Sequence, residues 1–100
     1  MSLDKNRILD AARAAFARHG FRKSSLGDIA QPLGVAKTAL YHHFPGGKED
    51  IFQAVINREE ERVLASMEEA VSAEDDPTQQ LRSLVLAKLL HLQRLRELLL

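Results

Sequence analysis

The sequence predicts an all-α chain: a three-helix, homeodomain-like helix-turn-helix unit over residues 1–47, followed over 48–100 by a long linking helix and one further helix of an incomplete helical domain. Three observations carry this expectation. Leucine and alanine recur at helical spacing, and the 100 residues contain only five glycines and three prolines. The stretch 25–50, SLGDIAQPLGVAKTALYHHFPGGKED, reads as two short helices about a tight turn, with a glycine-marked start to a third. The final segment, 77–100, holds ten leucines behind a clear helix start.

Each element has a local cause. The first helix is expected over 2–19 with Ser2 as its cap; Ile8, Ala12, Ala15 and Phe16 line one face, and Arg7, Arg13 and Arg18 lie away from its centre. Gly20 stops it, and Phe21 is placed to fold back onto it, as the apolar residue after a glycine stop often does. Arg22, Lys23 and Ser24 form a basic link. Ser25 with Asp28 three residues on gives a capping-box pattern for the second helix, and Ile29, Ala30 and Leu33 follow at helical spacing. Gly34 supplies the positive φ of a sharp turn, with Val35 and Leu40 as apolar anchors around it. The third helix runs from Lys37 through Thr38, Ala39, Leu40, Tyr41, His42 and His43 to Phe44, which closes it.

Pro45-Gly46-Gly47 then breaks the chain, and 48 to about 72 reads as a long fourth helix. Ile51, Phe52, Val55, Ile56, Val63, Met67 and Val71 are its expected apolar positions, and its charge run Arg58 to Arg62 is expected to face water. After the acidic break 73–76, Asp76, Pro77 and Gln79 mark the start of a fifth helix. Leu81, Leu84, Val85, Leu92, Leu95, Leu98 and Leu99 share one broad face of it. Leu86, Leu89 and Leu90 point elsewhere, so this helix wants cover on more than one side. Its leucine-rich end carries no stop signal, which reads as a chain cut inside a helix.

Composition narrows the function classes. With no cysteine, disulfides and thiolate metal sites are excluded, and a cytoplasmic location is natural. No opening apolar run resembles a signal peptide. Lys88, Arg94, Arg96 and Glu97 interrupt the leucine-rich end well short of the roughly 20 apolar residues a membrane span needs. The formal net charge of zero hides a division: through Lys48 eight Lys or Arg stand against three Asp or Glu, and from Glu49 onward six basic residues face eleven acidic ones. A basic segment that coincides with a helix-turn-helix pattern is the electrostatic footprint of a phosphate-binding face. The second helix of that motif enters the major groove of double-stranded DNA.

The first helix, the Ser25–Asp28–Ile29–Ala30 opening, Leu33-Gly34-Val35, and Ala39-Leu40-Tyr41-His42-His43-Phe44 followed by Gly47-Lys48 together resemble the N-terminal domain of TetR-family regulators, over residues 5–56. Members bind palindromic operators as homodimers and usually release DNA when a small ligand occupies a C-terminal helical domain. The resemblance therefore implies a bacterial, nucleoid-associated repressor of transcription, homodimeric in its full length, with an unknown small-molecule effector and no cofactor. Three departures stand out. Ala36 replaces the Ser or Thr cap common before the recognition helix, a loss that typically costs about 1 kcal/mol. Pro32 lies inside the second helix, where it removes a backbone donor. Gly27 falls where several relatives carry a side chain that reaches DNA.

By resemblance, Lys37 and Thr38 are the base readers, since a lysine can bridge guanine O6 and N7, and a threonine can offer thymine its methyl or either base its hydroxyl. Tyr41 and His43 match backbone-contacting positions, and Lys48 joins them as a phosphate contact, as do Ser24 or Ser25. The plainer alternatives are a solvated or phosphate-bound Lys37, a Tyr41 packed against the first helix, and a Ser25 that only caps. Adjacent His42 and His43 point about 100° apart, whereas a helical zinc pair prefers spacing of four, so no metal is expected. His91 and Met67 lie on helices that line the ligand pocket in relatives, with a core or surface role as the plainer reading. No nucleophile elbow, phosphate loop or paired carboxylates support an enzyme. The rivals are a helical protein-interaction module using the leucine-rich helix, and a DNA-binding activator or ligand-independent regulator.

Overall fold

A computed structural model describes residues 3–100, and among these five helices form: α1 (Lys5–His19), α2 (Leu26–Leu33), α3 (Lys37–His43), α4 (Lys48–Ala73) and α5 (Pro77–Leu99). The expected Ser2 cap lies outside the described residues. Asp4 caps α1 instead, its Oδ1 accepting the Arg7 amide at 2.8 Å. Ile8, Leu9, Ala12, Ala15 and Phe16 make the buried face of α1. The helix stops at Gly20, whose N–H reaches Phe16 O at 2.8 Å, and the Phe21 ring turns back to 5.8 Å from that of Phe16.

At α2 the capping box is complete: the Asp28 amide donates to Ser25 Oγ at 3.1 Å and the Ser25 amide to Asp28 Oδ2 at 2.8 Å. The helix closes in paired reverse bonds, Val35 N–H to Ala30 O at 3.3 Å and Gly34 N–H to Gln31 O at 3.1 Å. This Schellman arrangement requires the left-handed conformation that Gly34 adopts at φ 68°. Pro32 sits in that last turn, where the reverse bonds replace the regular ladder and limit the damage of a missing donor. As its residues indicated, α3 has no side-chain cap at Ala36.

The core joins all five helices: Ile8, Ala12 and Phe16 of α1, Ile29 and Ala30 of α2, Leu40 and Phe44 at either end of a turn of α3, Ile51 and Val55 of α4, and Leu98 of α5. Phe16, Phe21 and Phe52 stack beside it, with centroids 5.3 Å apart for Phe16–Phe52 and 4.5 Å for Phe21–Phe52. After the short link Glu74–Asp76, α5 returns along α4. Asp76 caps it through the Thr78 amide at 3.0 Å, and the Gln80 amide nitrogen fastens the turn to Glu74 O at 2.6 Å. No helix of the described residues is long and apolar enough to cross a membrane.

Two expectations need correction. The charge run of α4 does not simply face water. Glu59 has a side chain only 4% exposed, and Arg13 Nε on α1 donates to its Oε1 at 2.7 Å. Arg58, 12% exposed, reaches Asp10 of α1 at 2.8 Å. Two oppositely charged contacts therefore bolt α4 to α1 where the run of charges looked solvated. The second correction concerns α5. Its inward row is Leu84, Ala87, His91, Leu95 and Leu98, with His91 and Leu98 buried, while Leu81, Val85, Leu92 and Leu99 stand exposed beside Leu86, Leu89 and Leu90. The helix is apolar nearly all round, so periodicity did not single out the face that meets α4.

Removing Arg13 leaves the Glu59 carboxylate buried without its close partner; Arg62 Nη1 is 4.0 Å away and itself largely exposed. In urea denaturation, Arg13→Ala is expected to cost about 3 kcal/mol, and Arg62→Ala less than about 0.5 kcal/mol. Equal losses would refute the pairing as drawn.

Candidate nucleic-acid interface

α3 is seven residues long, too short to hold itself helical in water. It is held by Leu40 and Phe44, four residues apart, on the core side. That anchoring fixes what faces outward. Lys37, Thr38, Tyr41 and His42 are exposed along one strip of the helix, Tyr41 at 48%, and His43 is half-buried at its flank. His42 received no contact role from sequence, yet it stands one turn beyond Thr38 on the same strip; the i, i+4 spacing was the signal that could have found it. The two histidine rings meet edge to face at 5.5 Å. Among the described residues, no group of three or more His, Asp or Glu is placed to hold a metal ion.

Two glycines border the strip. A Cβ at Gly27 would stand 3.5 Å from Lys37 Cε and from Ser25 Oγ, so the stem of Lys37 lies across bare α2 backbone. At that distance a Cβ would make ordinary contact with the lysine stem, so the course of Lys37 over α2 does not require glycine at 27. Gly47, at φ 73°, lies against the Tyr41 ring, and a Cβ there would come within 3.2 Å of Tyr41 Cε1. This contact seats Tyr41 beside the start of α4. Lys5 adds a cation 5.5 Å from the Phe44 ring, near the end of α3.

The expected phosphate-facing residues divide. Ser25 is exposed, and its oxygen accepts the Asp28 amide. Ser24 is buried, and its hydroxyl donates to Gly20 O at 2.7 Å and lies 3.1 Å from Ala15 O, so it braces the α1–α2 turn instead of facing out. Lys48 also turns inward, its Nζ donating to Phe21 O at 2.7 Å and to Ser24 O at 3.1 Å. Both side chains answer carbonyls of the same turn, a demand set by how α1, α2 and α4 meet.

A short uncapped helix with a polar outer strip, preceded by a glycine turn and a capped helix, is the arrangement of a DNA-reading helix-turn-helix. Comparison with known proteins agrees. Residues 8–55 match the family model described as bacterial regulatory proteins, tetR family. The transcriptional regulator UidR of Escherichia coli is 39% identical over 67 residues, 67% of this chain and 34% of that protein. The chain belongs to the TetR family. LmrA of Bacillus subtilis, another transcriptional regulator, is 32% identical over 75 residues, 75% of this chain and 40% of that one. A crystal structure of a transcriptional regulator from Cytophaga hutchinsonii superposes with a TM-score of 0.87 at 34% identity, covering 92% of this chain and 47% of that chain. The matches thus cover between about a third and two fifths of these curated relatives, 34% and 40%.

In this TetR-family head, the box at the start of α2 carries a pH signature. Hydrogen bonds from the Ser25 amide and hydroxyl, with Arg18 and His19 nearby, hold the Asp28 carboxyl below its ordinary value of 3.8. A depressed acid stabilises the fold while ionised and loses that contribution as pH falls through its native value. The gap in melting temperature between the native chain and Asp28→Asn should therefore be widest near neutrality and close below pH 3.8. A gap that persists unchanged in acid would show that the carboxylate charge is not what holds the box.

Proposed function

We propose that this protein is a sequence-specific, double-stranded DNA-binding regulator of transcription, acting as a ligand-responsive repressor in the bacterial cytoplasm. Residues 1–47 carry the DNA-binding unit, and 48–100 form the linking helix and part of a ligand-binding and dimerisation domain. The observation that carries the reading is the outward strip of α3: Lys37, Thr38, Tyr41 and His42 are exposed while Leu40 and Phe44 are buried. Side chains so displayed can reach base edges in a major groove without unfolding anything.

In this reading Tyr41, His43 and Ser25 fix the helix on the backbone, and Lys37 and Thr38 discriminate bases. The full-length protein binds a palindromic operator as a homodimer, so that two recognition helices meet successive turns of the duplex. α4 carries the switch. It starts beside Tyr41 and continues into the contact with α5, so a tilt at its far end changes the spacing of the two recognition helices when a small-molecule effector binds. A protein-interaction module is the alternative that the exposed leucines of α5 favour. Its mark would be a stable hetero-oligomer without salt-dependent affinity for duplex DNA.

Selection from a random duplex pool should enrich a shared half-site, and failure to enrich any sequence at low salt would remove the DNA-binding reading. With the enriched duplex in hand, Lys37→Ala is expected to flatten the preference at one base pair by about 1–3 kcal/mol. Competition binding that shows the same preference in both proteins would take Lys37 out of base reading.

A further inference from the structure

Lys48 is the first residue of α4, the positive end of the helix dipole and an unfavourable place for an ammonium group. The charge is drawn away from that end. Nζ donates to Phe21 O at 2.7 Å, to Ser24 O at 3.1 Å and to Arg22 O at 3.4 Å, and lies 4.3 Å from the centroid of the Phe21 ring. An ammonium has three N–H donors, and three carbonyls of one turn take them. The aromatic face adds a further attraction for the cation.

That turn is the hinge between α1 and the helix-turn-helix, and other contacts converge on it. The Phe21 ring lies against Phe52, one turn along α4 from Lys48. α4 therefore grips Phe21 twice, by its carbonyl and by its ring. The Phe21 amide donates to Leu98 O in the last turn of α5 at 3.1 Å. One residue before Lys48, Gly47 supports the Tyr41 ring of α3. Lys48 thus stands where α1, α2, α4 and the edge of the recognition strip are held together.

We propose that Lys48 is a positioning residue for DNA binding: its ammonium clamps the α1–α2 turn to the start of α4 and sets how α2 and α3 meet the duplex, without itself contacting a phosphate. The inference rests on the DNA-binding reading above. To reach a phosphate, Nζ would have to leave three carbonyls and an aromatic ring, exposing groups of the turn that it satisfies. The gain from the clamp is preorganisation, which raises affinity by lowering the ordering required on binding.

The test compares the full chain with Lys48→Met, which keeps the stem but loses charge and donors, and with Lys48→Arg, which keeps both. Affinity for the enriched duplex is measured across a salt series. Lys48→Met should bind about tenfold more weakly at every salt concentration with an unchanged salt slope, and Lys48→Arg should recover part of the loss. A slope smaller by about one in Lys48→Met is the mark of a lost phosphate contact and would overturn the clamp, as would undiminished affinity. A measurement on the unmutated, isotope-labelled protein stands even if Lys48→Met does not fold. The Lys48 ammonium should give an exchange-protected NMR signal in the free protein that persists on duplex addition. No protected signal in the free protein, or one displaced by the duplex, would overturn the proposal. If the unmutated chain shows no salt-dependent affinity for any duplex, the DNA-binding reading fails by itself, and the ammonium signal of the free protein still decides the clamp.

Discussion

A helix of seven residues forms few backbone bonds for the ordering it requires, so α3 persists only because its inner face is captured. Leu40 and Phe44 enter a core supplied by α1, α2 and α4, and burying two such side chains contributes on the order of 3–6 kcal/mol. Everything displayed on the outer strip depends on that capture. Ala36 offers no side-chain cap, so the hydrophobic contact carries what a cap would otherwise share. The same constraint explains why α4 begins where it does: Ile51 and Val55 close the underside of the core, and Gly47 turns the chain into that position while leaving room for the Tyr41 ring.

Charge then fixes the angles that apolar packing leaves adjustable. Arg13–Glu59 and Arg58–Asp10 join α1 to α4 midway along both helices, and Lys48 joins α4 to the α1–α2 turn near their ends. Directional contacts at separate heights resist rotation of one helix over another, where leucine and valine faces alone would slide. The division of charge in the sequence therefore has two uses. Part of the basic half, Lys37 among it, stays on the outside, while Arg13 and Lys48 are spent within the fold. The formal excess of positive charge overstates what is free to meet a phosphate.

The candidate site was legible in proportion to how local its causes are. The helical register of α3, the inward Leu40 and Phe44, and the outward Lys37, Thr38 and Tyr41 follow from residues within one or two turns of each other. The inward course of Ser24 and Lys48 was not legible, because it depends on three carbonyls brought near by the packing of α1 against α4. His42 matches no contacting position of the family by resemblance, although its spacing from Thr38 places it on the displayed strip. The course of the Lys37 stem past Gly27 needs the approach of α2 and α3, which the residue types alone do not specify.

By itself the amino-acid sequence determined where α2 starts and stops and where α5 begins, since the Ser25–Asp28 box, the left-handed Gly34 and the Asp76–Pro77 start act within a few residues of backbone; the start of α1 was expected at Ser2 and falls at Asp4. The sequence also determined membership of the TetR family, because that signal is the order of these same local devices. Only the tertiary structure decided which leucines of α5 face α4, that His91 is buried among them, and that Arg13 meets Glu59 across 46 residues of chain. Those outcomes turn on how helices cross. A helix that is apolar on several sides, or charged along one, permits more than one crossing until its neighbours are in place.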